Sequence, residues 1–95
     1  MEEHVAAYLQ KAEILAQLAE EAAELAQAAL KMRRVIDGRN PTPVRFDDAY
    51  DNLVEEYSDV VNCMHELGVS YSIDIISEKK DRWIRRLKEA THENC

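Results

Sequence analysis

The sequence predicts an all-α protein: a small helical bundle with three main helices, the first of them long, in a single domain over residues 1–95. Three observations lead to this prediction. Apolar residues recur at steps of three and four, the period of an amphipathic helix rather than of a strand. Only two glycines and two prolines occur, and three of these four lie within residues 38–43. A content of 46% hydrophobic and 33% charged residues is that of a folded chain.

The first predicted helix covers about residues 2–36, with apolar residues recurring from Ile14 to Ile36. A straight helix of this length would span roughly 50 Å, so we expect it to bend, break or find a partner. Its first thirty residues include ten alanines, which allow close helix packing but bury little area. We therefore expect a thin core that oligomerisation completes.

The second and third predicted helices cover about residues 46–67 and 70–92. Gly68 is placed to end the second helix, because a glycine commonly follows the last helical residue. Ser70 or Ser72 could cap the start of the third helix with its hydroxyl oxygen.

Composition and charge exclude several classes of function. A net charge of -7 disfavours binding to nucleic acid. No apolar run approaches the roughly 18 residues of a membrane span, and the sequence shows no signal peptide, so we expect a cytoplasmic protein without membrane contact. Cys63 and Cys95 are too few for a disulfide framework and are expected to be free thiols. No glycine-rich phosphate loop is present.

Two acidic pairs occupy matching places on the first two helices. Glu21 and Glu24 lie about 60° and 120° to one side of the first apolar stripe, whose centre we expect near Leu18, Ala22, Leu25 and Ala29. Glu56 and Asp59 have the same offsets on the second helix. Packing the two stripes together would gather four carboxylates at one partly buried edge, where they would repel each other without a cation. Oxygen-only ligands favour Mg²⁺ or Mn²⁺ over zinc.

An ordinary structural interpretation of these residues stays open. Charged residues normally border the apolar stripe of an amphipathic helix, so each acidic pair is also compatible with a solvated flank. Six of the twelve Lys and Arg residues lie between Lys79 and Lys88, with Lys79, Arg82 and Arg86 on one side of the third helix. This ridge either forms ion pairs with acidic neighbours or faces the acidic edge and holds a polyphosphate.

At these residues the sequence resembles the MazG-like nucleoside triphosphate pyrophosphohydrolases of the all-α NTP pyrophosphatase superfamily. The hallmark of that family is an EExxE segment followed on a later helix by ExxD, which here are residues 20–24 and 56–59. The Asn-Pro-Thr-Pro loop at 40–43 and the segment at 78–83 also resemble small members of the family. The interval between the two acidic motifs is at the long end of the family's range.

The resemblance implies Mg²⁺-dependent hydrolysis, with Mn²⁺ as a substitute, of a (deoxy)nucleoside triphosphate to its monophosphate and pyrophosphate. It assigns the catalytic metal ligands to Glu21, Glu24, Glu56 and Asp59, with Glu20 as a secondary acidic partner. Its substrate-binding candidates are Lys79, Arg82, Asn62 and Lys31. Members of the family are homodimers or homotetramers, and a role in nucleotide-pool housekeeping is implied.

Two alternatives remain at this stage. The chain could be a non-catalytic helical module that binds a partner protein through its apolar stripes. It could also be a relative with a narrower substrate, such as a dUTP or dCTP pyrophosphatase or a phosphoribosyl-ATP pyrophosphohydrolase, because the shared motifs do not separate these activities.

Overall fold

The computed structural model of the protein describes residues 3–38 and 44–93. Its elements are a 3₁₀ turn at Val5–Ala7 and three helices, α1 (Lys11–Asp37), α2 (Phe46–Leu67) and α3 (Ile73–Glu93). These described ranges contain no strand, which confirms the all-α class and the three main helices. The Asn-Pro-Thr-Pro segment at 40–43 lies outside the described residues.

The start of α1 differs from the sequence prediction. The helix begins at Lys11 rather than near residue 2, and the preceding residues form the 3₁₀ turn. The reason is local: the Gln10 backbone N–H donates to Glu13 Oε1 at 3.2 Å, which ties the chain before the helix to its first turn. Of the three outcomes expected for the long first stretch, a break is observed, between Ala7 and Lys11.

The other helix ends agree with the turn chemistry of the sequence. α2 has the predicted bounds, and Gly38 and Gly68 follow α1 and α2 with φ of 71°, a left-handed conformation that favours glycine. Of the two candidate caps for α3, Ser72 is the one observed, because its Oγ accepts the Ile75 backbone N–H at 3.2 Å.

α1 and α2 pack against each other as an antiparallel pair. Buried and half-buried side chains recur at a heptad-like spacing of three and four on each helix. We call this series the seam: Ile14, Leu18, Glu21, Leu25, Ala28, Met32 and Val35 on α1, and Ala49, Leu53, Glu56, Val60, Cys63 and Leu67 on α2. The seam keeps Leu18 and Leu25 of the stripe expected on α1, whereas Ala22 and Ala29 are exposed and lie outside it. Because only α1 and α2 pack together, the buried strip on each helix is narrower than it would be in a bundle of three helices.

α3 packs against neither of the other two helices. All its described side chains are exposed, including Trp83 at 62% and Leu87 at 56%. The radius of gyration is 17.7 Å, whereas a compact chain of this length has a radius of about 12 Å. Within residues 3–38 and 44–93, the apolar face of α3 is thus left without a helix packed against it.

Candidate metal centre

The α1–α2 seam carries carboxylates in its central part. Glu21 and Glu56 occupy positions where the repeat would otherwise place an apolar residue, and both are half-buried. Glu24 and Asp59 lie one turn further along α1 and α2, respectively. Because the two helices run antiparallel, the two acidic pairs meet, and we call these four residues the acidic cluster.

The acidic cluster is tight. Each of its residues offers a carboxylate oxygen, and these oxygens all lie within 4.8 Å of one another. Glu21 Oε1 accepts a hydrogen bond from Gln17 Nε2 at 2.7 Å. The Oε2 atoms of Glu21 and Glu56 are shielded from solvent and have no hydrogen-bond partner among the described residues. Buried polar atoms normally have a hydrogen-bond partner, so these two oxygens are an unfavourable feature of the seam.

The neighbouring carboxylates perturb the proton equilibrium of Glu24. The pKa of Glu24 is raised, chiefly because Glu56 hydrogen-bonds to its protonated form and also repels its charged form. At a nearby seam position, burial raises the pKa of the Cys63 thiol, and the charges of Glu21 and Asp59 add to the effect. Cys63 is therefore a free, protonated thiol beside the cluster rather than an anionic ligand.

The donor set fits a hard divalent cation. An octahedral Mg²⁺ ion with oxygens at about 2.1 Å places opposite ligand oxygens about 4.2 Å apart, so the cluster needs only small side-chain movements to close on an ion. The unpartnered Oε2 atoms of Glu21 and Glu56 are the ligands that such an ion would satisfy. All four donors are carboxylates, which is the ligand type preferred by Mg²⁺ and Mn²⁺.

A cavity of about 490 Å³ opens beside the acidic cluster. Its lining includes Glu24 and Glu56 together with Lys31, Arg34 and Asn52. The positively charged side chains of Lys31 and Arg34 thus lie in the same cavity as the carboxylates, where they could bind anionic phosphate groups. Lys31 was a substrate-binding candidate from the sequence, and the structure brings it to this cavity.

Other candidates from the sequence lie elsewhere. Asn62 is exposed on α2 and does not line this cavity, and Glu20 is exposed on α1 outside the cluster. Lys79 and Arg82 belong to the unpacked α3, where Arg82 pairs with Glu78 at 3.9 Å. Within one chain, therefore, the basic ridge does not face the acidic edge.

Sequence reasoning missed Gln17 and Asn52. Both precede a cluster carboxylate by one helical turn, Gln17 before Glu21 and Asn52 before Glu56. That four-residue spacing was the signal available in the sequence, but it places polar residues on one helix face without showing which face meets the other helix.

No protein-family model matches the chain, and no similar protein was found among curated proteins or among solved structures. None of the helices in residues 3–38 and 44–93 combines the length and the apolar character needed to cross a bilayer.

Proposed function

We propose that the protein is a MazG-like pyrophosphohydrolase that uses Mg²⁺, or Mn²⁺ in its place, to convert a (deoxy)nucleoside triphosphate to its monophosphate and pyrophosphate. The observation that carries the proposal is the convergence of Glu21, Glu24, Glu56 and Asp59 from two helices, with two of their oxygens buried and unpartnered. A chain selected only for stability would have apolar residues at the seam positions of Glu21 and Glu56.

In the proposed reaction, water adds across the bridge between the α and β phosphates, and pyrophosphate leaves. The bound cation would supply charge neutralisation at the phosphate oxygens and a more acidic water. The four carboxylates would hold that cation, and Gln17 orients Glu21 through the hydrogen bond to its Oε1. Lys31 and Arg34 line the adjoining cavity, where their side chains would bind phosphate oxygens.

The proposal includes a homodimer or homotetramer. Helices without tertiary contacts are marginal in water, so the exposed apolar face of α3 calls for a partner surface. α2 offers one: Phe46, Tyr50, Val54, Tyr57 and Val61 recur at helical spacing and are all about half exposed, and we call them the outer stripe of α2.

Packing of α3 on the outer stripe of α2 from a second copy would also explain the basic ridge. Lys79 and Arg82 do not line the cavity beside the acidic cluster of their own chain, and α3 has no extensive packing against α1 or α2. A partner's α3 lying along α2 would carry these cations towards the mouth of the cavity lined by Glu24 and Glu56. Opposite charges on the two surfaces favour this pairing.

A cytoplasmic role in nucleotide-pool housekeeping follows from this activity and is part of the same proposal. The narrower substrates, dUTP, dCTP or phosphoribosyl-ATP, would be distinguished by contacts to the base and sugar. Those contacts would come from residues around the cavity, of which Gln27 and Asn52 are the neutral hydrogen-bonding members.

A second candidate function is a non-catalytic module that binds a partner protein. The unpacked α3 favours it, because Ile76, Trp83 and Leu87 present an apolar surface on a helix that its own chain leaves exposed. In that case the acidic cluster would be an ion-binding or solvated element without turnover.

The deciding experiment is a panel assay of the common ribo- and deoxyribonucleoside triphosphates with Mg²⁺, with products separated by chromatography. Monophosphate and pyrophosphate formed together are the expected result. Diphosphate with orthophosphate would place the cut at the wrong bond and refute the proposal. Absence of turnover with Mg²⁺ and with Mn²⁺ would favour the binding module.

A matched pair of variants ties the activity to the cluster. Glu56→Gln removes a cluster charge and should abolish turnover, whereas Glu55→Gln changes the exposed neighbouring carboxylate and should not. Thermal melting with and without Mg²⁺ adds a readout that does not need the substrate, because a cation bound only by the folded state raises the melting temperature.

A further inference from the structure

A second cluster of metal-ligating side chains lies at the end of the α1–α2 pair, away from the acidic cluster. It consists of His4, which precedes the 3₁₀ turn, and of His65 and Glu66 in the last turn of α2. His65 follows Asp59 by six residues, a distance of about 9 Å along the helix axis. The two clusters therefore have separate donors, and this one has no part in the proposed hydrolysis.

The donors of this second cluster differ in chemistry from those of the first. Each of the three residues offers one ligand atom, and these atoms lie within 4.8 Å of one another. The imidazole rings of His4 and His65 have centroids 6.3 Å apart. Two imidazole nitrogens and one carboxylate oxygen form a set that suits Zn²⁺ and neighbouring transition metals, and such sites keep a fourth position for water.

Glu66 is held in place by groups other than a metal. Its Oε1 accepts the Ala6 backbone N–H at 3.1 Å, and its side chain is only 12% exposed. Its Oε2 lies 3.4 Å from His4 Nδ1, a long contact for a hydrogen bond. The backbone N–H thus fixes the Glu66 carboxylate, and its Oε2 still faces the His4 imidazole. These two ligand atoms are therefore already close to the positions that a shared metal ion needs.

The remaining adjustment falls on the exposed side chains. Tetrahedral zinc with ligands at about 2.0–2.1 Å brings them about 3.4 Å apart, so each pair of donors must draw together by roughly 1.4 Å at most. His4 and His65 are exposed, and His4 retains 52% of its side-chain accessibility. Rotation about their side-chain bonds can supply this movement without disturbing the seam.

We propose that His4, His65 and Glu66 form a binding site for a Zn²⁺-class transition metal, which fastens the N-terminal segment to the end of α2. The site joins residues that are about 60 positions apart in the chain. The segment around Val5–Ala7 has few contacts with α2 beyond this cluster. A metal ion bound there would hold the segment against α2. A metal that binds only this closed arrangement stabilises it.

Calorimetric titration of the full-length, EDTA-stripped protein with zinc chloride tests the proposal. The expected result is one zinc ion per chain at this site, with affinity reduced about tenfold or more in His4→Gln and in His65→Gln. Both side chains are exposed, so the variants should fold, and circular dichroism verifies this. His92→Gln is the matched histidine control, and Cys95→Ser controls for thiol binding; both should bind zinc as the wild type does.

The Glu56→Gln variant separates this site from the acidic cluster. It should lose its response to Mg²⁺ yet bind zinc unchanged, so failure of the proposed hydrolysis would leave the zinc result intact. Zinc binding that survives both His4→Gln and His65→Gln, or that disappears in Glu56→Gln, would overturn the proposal. Wild-type protein that binds no zinc would overturn it as well.

Discussion

Glu24 on α1 and Glu56 on α2 lie side by side across the helix pair, and the Glu56 carboxylate raises the pKa of Glu24 above its ordinary value of 4.5. This contact joins the two acidic motifs that the sequence separates by a helix end and a loop. Carboxylates this close are stable together when they share a proton or a cation. We therefore expect the same contact to affect the stability of the protein, its pH dependence and its response to a metal ion.

Replacing Glu21 with leucine should stabilise the metal-free protein by about 1 kcal/mol or more, because a half-buried carboxylate whose Oε2 is buried and unpartnered gives way to an apolar seam residue. The same Glu21→Leu change should reduce the proposed turnover by about 100-fold or more. Urea unfolding in EDTA and the product assay measure the two effects. A variant that is less stable than the wild type in EDTA would show that the seam tolerates this carboxylate without cost.

The stability of the metal-free protein should fall as the pH rises above 4.5. The pKa of Glu24 is higher in the folded state, so the folded state binds this proton more tightly, and the free energy of unfolding decreases as the proton leaves. Urea unfolding in EDTA between about pH 5 and about pH 7 measures the slope. Glu24→Gln should flatten it, and Glu55→Gln should not.

Glu66 affects the free energy of unfolding in a lower pH range, so it does not obscure the pH dependence caused by Glu24. Its pKa is lowered, mainly by the hydrogen bond from the Ala6 backbone N–H, so it stabilises the fold above 4.5 and this stabilisation is lost only at lower pH. If the free energy of unfolding of Glu24→Gln still decreased above pH 4.5 as it does in the wild type, the pH dependence would belong to another group.

Charging the apolar face of α3 should dissociate the proposed oligomer. Trp83→Glu places a carboxylate at an exposed apolar position on the face formed with Ile76 and Leu87. Sedimentation velocity should show an oligomer for the wild type and a monomer for this variant. Glu89→Ala, on the opposite side of α3, is the control and should remain oligomeric. A wild type that sediments as a folded monomer would contradict the proposed assembly.

Mixed oligomers should reveal whether α3 serves a neighbouring site. A chain with Glu56→Gln and a chain with Lys79→Ala should each be inactive alone. If Lys79 acts on the partner's acidic cluster, a mixed dimer regains one intact site of two, and random pairing of equal amounts restores about a quarter of wild-type activity. Co-expression with two different affinity tags measures this. If Lys79 acts within its own chain, the mixture stays inactive.

The sequence by itself determined the local structure of this protein. The three-and-four spacing of apolar residues and Gly68 after α2 were enough to predict the helices and the ends of α2, and Ser72 was one of the two serines predicted to cap α3. Local hydrogen bonds and backbone preferences decide these features, and they lie within a few residues of each other in the chain. The start of α1 was missed because the capping contact of Gln10 with Glu13 gives no strong sequence signal.

Only the tertiary structure decided which helix faces meet. It placed Glu21 inside the seam rather than beside it, brought Asn52 and Arg34 to the cavity and left Lys79 on an unpacked helix. The physical reason is that an amphipathic pattern fixes a stripe on each helix to within a residue or so. The rotation and pairing of the stripes depend on how side chains from distant segments fit together.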